Sequence, residues 1–342
     1  MMGSAVACAL SVSFTSCSDD DKIDPVEEES TVYITTNTTW AGDMIHNLDK
    51  RTIVSNGATL TIGAGAIIKG AAGIEADAKP LIIAAGAKID ARGTATKPII
   101  FTSASDNIKV GEIAGTNLTK DNQGEWAGLI ILGNAPISPK SGNTDRIEGI
   151  PASIPEGVYG GSTSDDNSGF LQYVSVRHAG VELVPGGGNE INGITLGGVG
   201  SGTTIDHVEV IANKDDGIEW FGGTVNVSSA LVAYQGDDAF DIDQAYAGTI
   251  SNVAYIGGSG SDHALEIDGP EGVLEDSFTL TGGKMKGDRA KGEFADFRSN
   301  AKGTVENLFF WGFPKGGDVE LDAGDNNTSL QVSVNYRDGN LT

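Results

Sequence analysis

Between residues 213 and 268, apolar and acidic residues alternate with period two in three successive phrases. They read Asp215-Asp216-Gly217-Ile218-Glu219-Trp220, Asp237-Asp238-Ala239-Phe240-Asp241-Ile242-Asp243 and Asp262-His263-Ala264-Leu265-Glu266-Ile267-Asp268. Such alternation predicts strands with one buried face and one wet face. On that register Glu219, Asp241 and Glu266 point the same way, 22 and 25 residues apart. Spacing of this size is that of a repeat in which each coil is one turn of a solenoid.

The alternation continues upstream in Ile194-Thr195-Leu196-Gly197, and downstream in Ala295-Asp296-Phe297-Arg298 and Val319-Glu320-Leu321-Asp322. Aligned, these phrases give an inward column of Ile194, Ile218, Phe240, Leu265, Ala295 and Val319. The outward column is Thr195, Glu219, Asp241, Glu266, Asp296 and Glu320, followed two residues on by Gly197, Phe221, Asp243, Asp268, Arg298 and Asp322. Coils stacked at about 4.8 Å would turn these carboxylates into a ladder on one face.

Shorter apolar runs at 58–62, 66–69, 81–83, 87–90 and 98–103 are separated by glycine-containing turns and predict short parallel strands. The run Trp126-Ala127-Gly128-Leu129-Ile130-Ile131-Leu132 can be buried on both sides only if another element covers it. The segment at about 138–169, rich in Pro, Gly, Ser and Asp, breaks the period and is too long for a turn. It is expected to be an insertion lying over one face. Later coils carry a second strand at 208–211, 231–234, 252–255 and 308–311, and residues 330–342 are expected to add one more strand without a polar cap. No leucine-based consensus recurs and hairpin signals are sparse, which favours a parallel β-helix over a leucine-rich solenoid or a propeller. The fold class is therefore all-β, a right-handed parallel β-helix of the pectate-lyase-like solenoid kind, in a single domain over 31–342.

Composition narrows the partners. The 342 residues carry a net charge of -25, so the Lys and Arg patches that bind nucleic acid are not expected. Both cysteines, Cys8 and Cys17, precede the predicted domain, which leaves its body to be held by stacking rather than by disulfides. The apolar run at 5–14, ending in Thr15-Ser16-Cys17, has the shape of a secretory signal over 1–17. It also resembles a bacterial lipobox, which implies lipidation of Cys17 and an outer-membrane, surface-exposed lipoprotein. Residues 18–30, with seven acids against one lysine, read as an acidic tether.

Two family resemblances bear on function. The phrases Trp126-Ala127-Gly128-Leu129-Ile130-Ile131-Leu132-Gly133-Asn134, Asn189-Glu190-Ile191-Asn192-Gly193 and Asp215-Asp216-Gly217-Ile218-Glu219-Trp220-Phe221 resemble those of bacterial lipid-anchored β-helix surface proteins of unsettled function. Polygalacturonases carry Asn-Thr-Asp-Gly, Gly-Asp-Asp and Gly-His-Gly on successive coils. Here Asn213-Lys214-Asp215-Asp216-Gly217, Gly236-Asp237-Asp238 and Asp262-His263-Ala264 follow in that order. That resemblance implies a glycoside hydrolase in which Asp216, Asp237 and Asp238 supply acid and base, with His263 nearby. Ala264 and Asp262 depart from the glycines of the family's phrase.

The residues themselves permit three kinds of chemistry. Paired carboxyls whose pKa values are pushed apart can cleave glycosidic bonds. Aspartates at coil corners can bond nearby backbone N–H groups and act as turn formers. Stacked carboxylates can hold a hard cation such as calcium through several oxygens. The candidate ligand-binding residues are Glu219, Phe221, Asp241, Asp243, Glu266, Asp268 and Arg298, and the candidate calcium ligands Asp241, Asp243, Glu266 and Asp268. The expected partners are an extracellular glycan and, through Cys17, the outer membrane.

Overall fold

The computed structural model describes residues 31–74, 77–182, 190–321 and 329–342. The signal segment, Cys17, the acidic tether and Asp322 lie outside the described residues.

The predicted register is the observed one. Ile194 pairs with Ile218, Ile218 with Phe240, Phe240 with Leu265, Leu265 with Ala295 and Ala295 with Val319, every pair parallel. These strands belong to a ten-stranded parallel sheet that also contains Arg51–Val54, Leu81–Ile83 and Leu129–Leu132. A second, twelve-stranded sheet forms the other wall. Between the two lies the core, in which Leu129, Ile194, Ile218, Phe240 and Leu265 stack with at most 1% exposure. Each such side chain contributes about 1.5–3 kcal/mol by leaving water, so identical chemistry repeated coil after coil sets the stacking. The result is a parallel β-helix.

Early coils carry two separate strands in the second wall, as in Lys88–Arg92 and Ile99–Ser103, whereas in later coils one bent strand replaces them. Gly169–Arg177 pairs with both. The bend is a column of left-handed residues, one per coil: Tyr173, His207, Ser229, Asn252, Gly282 and Asn307, with φ between 49° and 74°. Asn and Gly tolerate that conformation, and its recurrence turns the chain at the same corner each time.

The outward face of the ladder sheet changes character along the solenoid. Upstream it is Ile53, Ile82 and Ile130, paired in that order and then with Thr195; downstream it is acidic. The insertion covers the upstream part. Its Ile147, Ile150, Ile154 and Tyr159 pack with Ile82, Ile130, Leu132 and Phe221 into a second apolar core. This is the cover that the doubly apolar 129–132 strand demanded.

Two expectations need correction. Residues at the C-terminus form an α-helix, Ser329–Asp338, and not a strand. Its Val332 is fully buried against the last coil, and Asn335 Nδ2 donates to Asn300 Oδ1 at 2.8 Å and to Ala301 O at 3.1 Å, so the helix caps the solenoid. Val319, expected inward, is 52% exposed because its strand is the last in its sheet and no further coil stacks on it.

Candidate acidic groove

Much of the first outward column is not wet, while Glu266 and Glu320 in it, and Asp243 and Asp268 beside it, are half-buried. Glu219, Asp241 and Asp296 are 6–8% exposed, Asp216 is 9% and Asp238 3%, which corrects the expected solvated face. The insertion ends beside them and leaves a groove of about 570 Å³ lined by Arg146, Glu148, Tyr159, Phe221, Asp243 and Gln244, among others. Phe221 does point outward, but Tyr159 meets it edge-on at 6.2 Å and buries it, so it is a wall of the groove and not an open sugar platform.

The carboxylates fall into neighbouring groups whose oxygens lie within 4.8 Å of one another. Asp216, Glu219 and Asp241 make one, Asp241, Glu266 and Asp268 a second, and Glu190, Asp215 and Asp237 a third; Asp238 and His263 join Glu266 in a fourth. The four residues singled out as acid, base and histidine are thus adjacent on three coils but divided among three groups. Two of them are bound to coil corners. Asp216 Oδ1 accepts the Asp238 backbone N–H at 2.8 Å, and Asp238 Oδ1 accepts the backbone N–H of His263 and lies 3.0 Å from its Nδ1. Each carboxylate therefore ties its own coil to the next.

Charge compensation is uneven. Arg298 pairs with Glu266 and Asp268 and approaches Asp296 at 3.8 Å, which sets one positive charge against the acids of the second group. The first group has no ion pair with Lys or Arg among the described residues. Asn192 Nδ2 donates to Glu219 Oε2, but Asp241 Oδ1 is buried without a hydrogen-bond partner. A lone carboxylate oxygen in that position carries a desolvation cost that nothing in the protein repays.

Proton affinities follow from this crowding. Burial, then the charges of neighbouring acids, raise Asp216, Glu219 and Asp241 well above the ordinary carboxylate range. Burial and Glu190 push Glu148 up to about 8, and burial and Asp268 push Asp243 to about 7. Asp215 rises to about 11 through burial and Asp216, and Asp237 to about 6 through burial and Asp238. Burial opposes the charged form of His263, yet its bond to Asp238 outweighs this and raises it to about 9.

Comparison with known families places the fold. The description Pectate-lyase like beta helix domain matches residues 32–340. The chain belongs to that family. Searches of curated proteins and of solved structures return no match. Within this pectate-lyase-like helix the ladder strands supply Glu219, Asp241, Glu266 and Asp296, and the corners supply Asp216 and Asp238. Three residues that sequence reasoning passed over also belong here: Glu148 from the insertion lines the groove, while Glu190 and Asn192, from the coil before the ladder, join the acid clusters beside it. Glu190 and Asn192 stood in a quoted family phrase. Glu148 carried no signal, because only the folded insertion brings it to Glu219.

Proposed function

We propose that the buried acid cluster Asp216, Glu219 and Asp241, beside the groove, holds a divalent cation, calcium foremost, and that the chain uses it to bind an acidic polysaccharide. The observation that carries this is the unpartnered, buried Asp241 Oδ1 between two acids that no Lys or Arg neutralises. A hard cation takes six to eight oxygens, and ladder carboxylates plus the glycan's own oxygens supply them. Arg298 already serves the Glu266 and Asp268 side, so the cation belongs one coil upstream of where spacing alone put it. At a site built of carboxylates, in a chain of net charge -25, such a bridge is what lets an anionic glycan bind there. The β-helix domain fits a polysaccharide-related protein at a coarse level.

Thermal melts of the full chain with calcium and with chelator test the cation. At a concentration of about 100 times Kd, calcium adds about 2.7 kcal/mol, a rise of several degrees. Asp241→Asn is expected to abolish that rise while melting no lower than wild type in chelator, since it relieves repulsion. A calcium-insensitive wild type sinks the reading.

A second reading, hydrolysis by Asp216, Asp237 and Asp238, is favoured by Asp237, whose carboxyl at about 6 titrates near neutral pH. Incubation with polygalacturonate decides it: new reducing ends from the wild-type chain and none from Asp238→Asn would establish turnover, and their absence removes it. In the same proposal Cys17 carries a lipid that holds the chain on the outer membrane, and loss of the protein from membrane fractions on Cys17→Ser is the expected result.

A further inference from the structure

On the other wall of the solenoid the strands Phe278–Lys286 and Gly303–Trp311 pair in parallel, with Lys284 opposite Phe309 and Lys286 opposite Trp311. All four side chains are exposed, Phe309 by 64% and Trp311 by 39%. The two rings stack with centroids 5.5 Å apart and planes 26° from parallel. Strand geometry sets the lysines roughly 6.8 Å apart along the chain and about 4.8 Å from the aromatic row. This is an array of two lysines beside two aromatic rings stacked on each other.

Among the described residues neither ammonium has a carboxylate partner. Acids outnumber bases 47 to 22, yet Lys284 and Lys286 make no ion pair among the described residues. Among the described residues cation–π contacts occur elsewhere, Arg92 with Phe170 and Lys120 with Tyr234, and neither lysine makes one with the neighbouring rings. Upstream on the same face their neighbours are Ala254 and Ile256, which bring no carboxylate. An exposed stacked aromatic pair beside free cations, in an otherwise strongly acidic molecule, is a local inversion of the surface.

We propose that this face is a second binding surface for an acidic polysaccharide, independent of any cation. Sugar rings present flat C–H faces that stack on Phe309 and Trp311, and uronate carboxylates reach the lysine ammoniums. A row of side chains exposed along two neighbouring strands suits an extended chain lying across them. The acidic groove and this face sit on different walls, so one glycan chain or two can be held at once.

The test is retention of the full chain on immobilised polygalacturonate in the presence of chelator, with neutral dextran as control. Retention by polygalacturonate alone is expected, falling at molar salt, where the screening length is about 3 Å. The Lys284→Ser, Lys286→Ser double variant and Trp311→Ala should each lose roughly tenfold in affinity, with unchanged melting temperatures because all three side chains are exposed. Retention unaffected by these variants overturns the proposal. So does capture by anionic phospholipid vesicles without retention on the glycan, which would make the patch a membrane contact. Binding at the groove needs a divalent cation and binding here does not, so the two readings fail separately.

Discussion

At the scale of single residues, the groove is a set of acids folded against their own charge. Glu148, Asp243 and Asp237 bind protons in the folded chain at pH values where the unfolded chain has released them. With raised folded-state pKa values, their stabilising contribution is whole below the ordinary carboxylate range near 4 and is lost as pH rises through about 6 to 8. His263, raised to about 9, acts with the same sign over a higher window. In chelator the melting temperature is therefore expected to fall as pH climbs from about 5 to about 8. With calcium the fall should flatten, because deprotonation that costs the empty site improves the ligands of the filled one. Parallel melts across that range decide the point, and a metal-free protein that gains stability with pH contradicts it.

At the scale of elements, much of this was legible in the chain. Period-two alternation gave the strand faces, and the recurring phrases gave the coil-to-coil register from Ile194 to Val319, because inward apolar residues stack only on one another. Burial of the outward acids was not legible. Whether Glu219 meets water depends on where the insertion closes over the sheet, and that is set by contacts such as Tyr159 with Phe221, 62 residues apart in sequence. The grouping of the corner acids was hidden likewise, since Asp216 and Asp238 turn their oxygens to backbone N–H groups that only the stacked coils bring near. The C-terminal helix was misread for a different reason. Leu330, Val332, Val334 and Tyr336 alternate as in a strand, yet the face that docks is Val332 and Asn335, three residues apart, as a helix requires.

At the scale of the whole molecule, a solenoid is held by nearest neighbours, so its ends fray first unless a cap covers them. Here the covering falls to the helix Ser329–Asp338, and its hold on the last coil runs through Asn335, which is 5% exposed and donates to Asn300 and Ala301. The adjoining C-terminal residues extend that hold: Gly303 N–H donates to Asn340 O and Val305 N–H to Thr342 O. Asn335→Ala leaves three acceptors without their donor, at a cost of about 1–3 kcal/mol. The expected loss is local. Amide exchange should speed up along Gly303–Trp311 and Val319–Leu321, whereas Ile218–Phe221 and Phe240–Asp243, three and two coils further in, keep their protection. The groove would then still bind its cation while the Phe309 and Trp311 face loosens. Uniform loss of protection from end to end would show instead that the coils unfold as one unit and that the cap stabilises the groove as much as it stabilises its own coil.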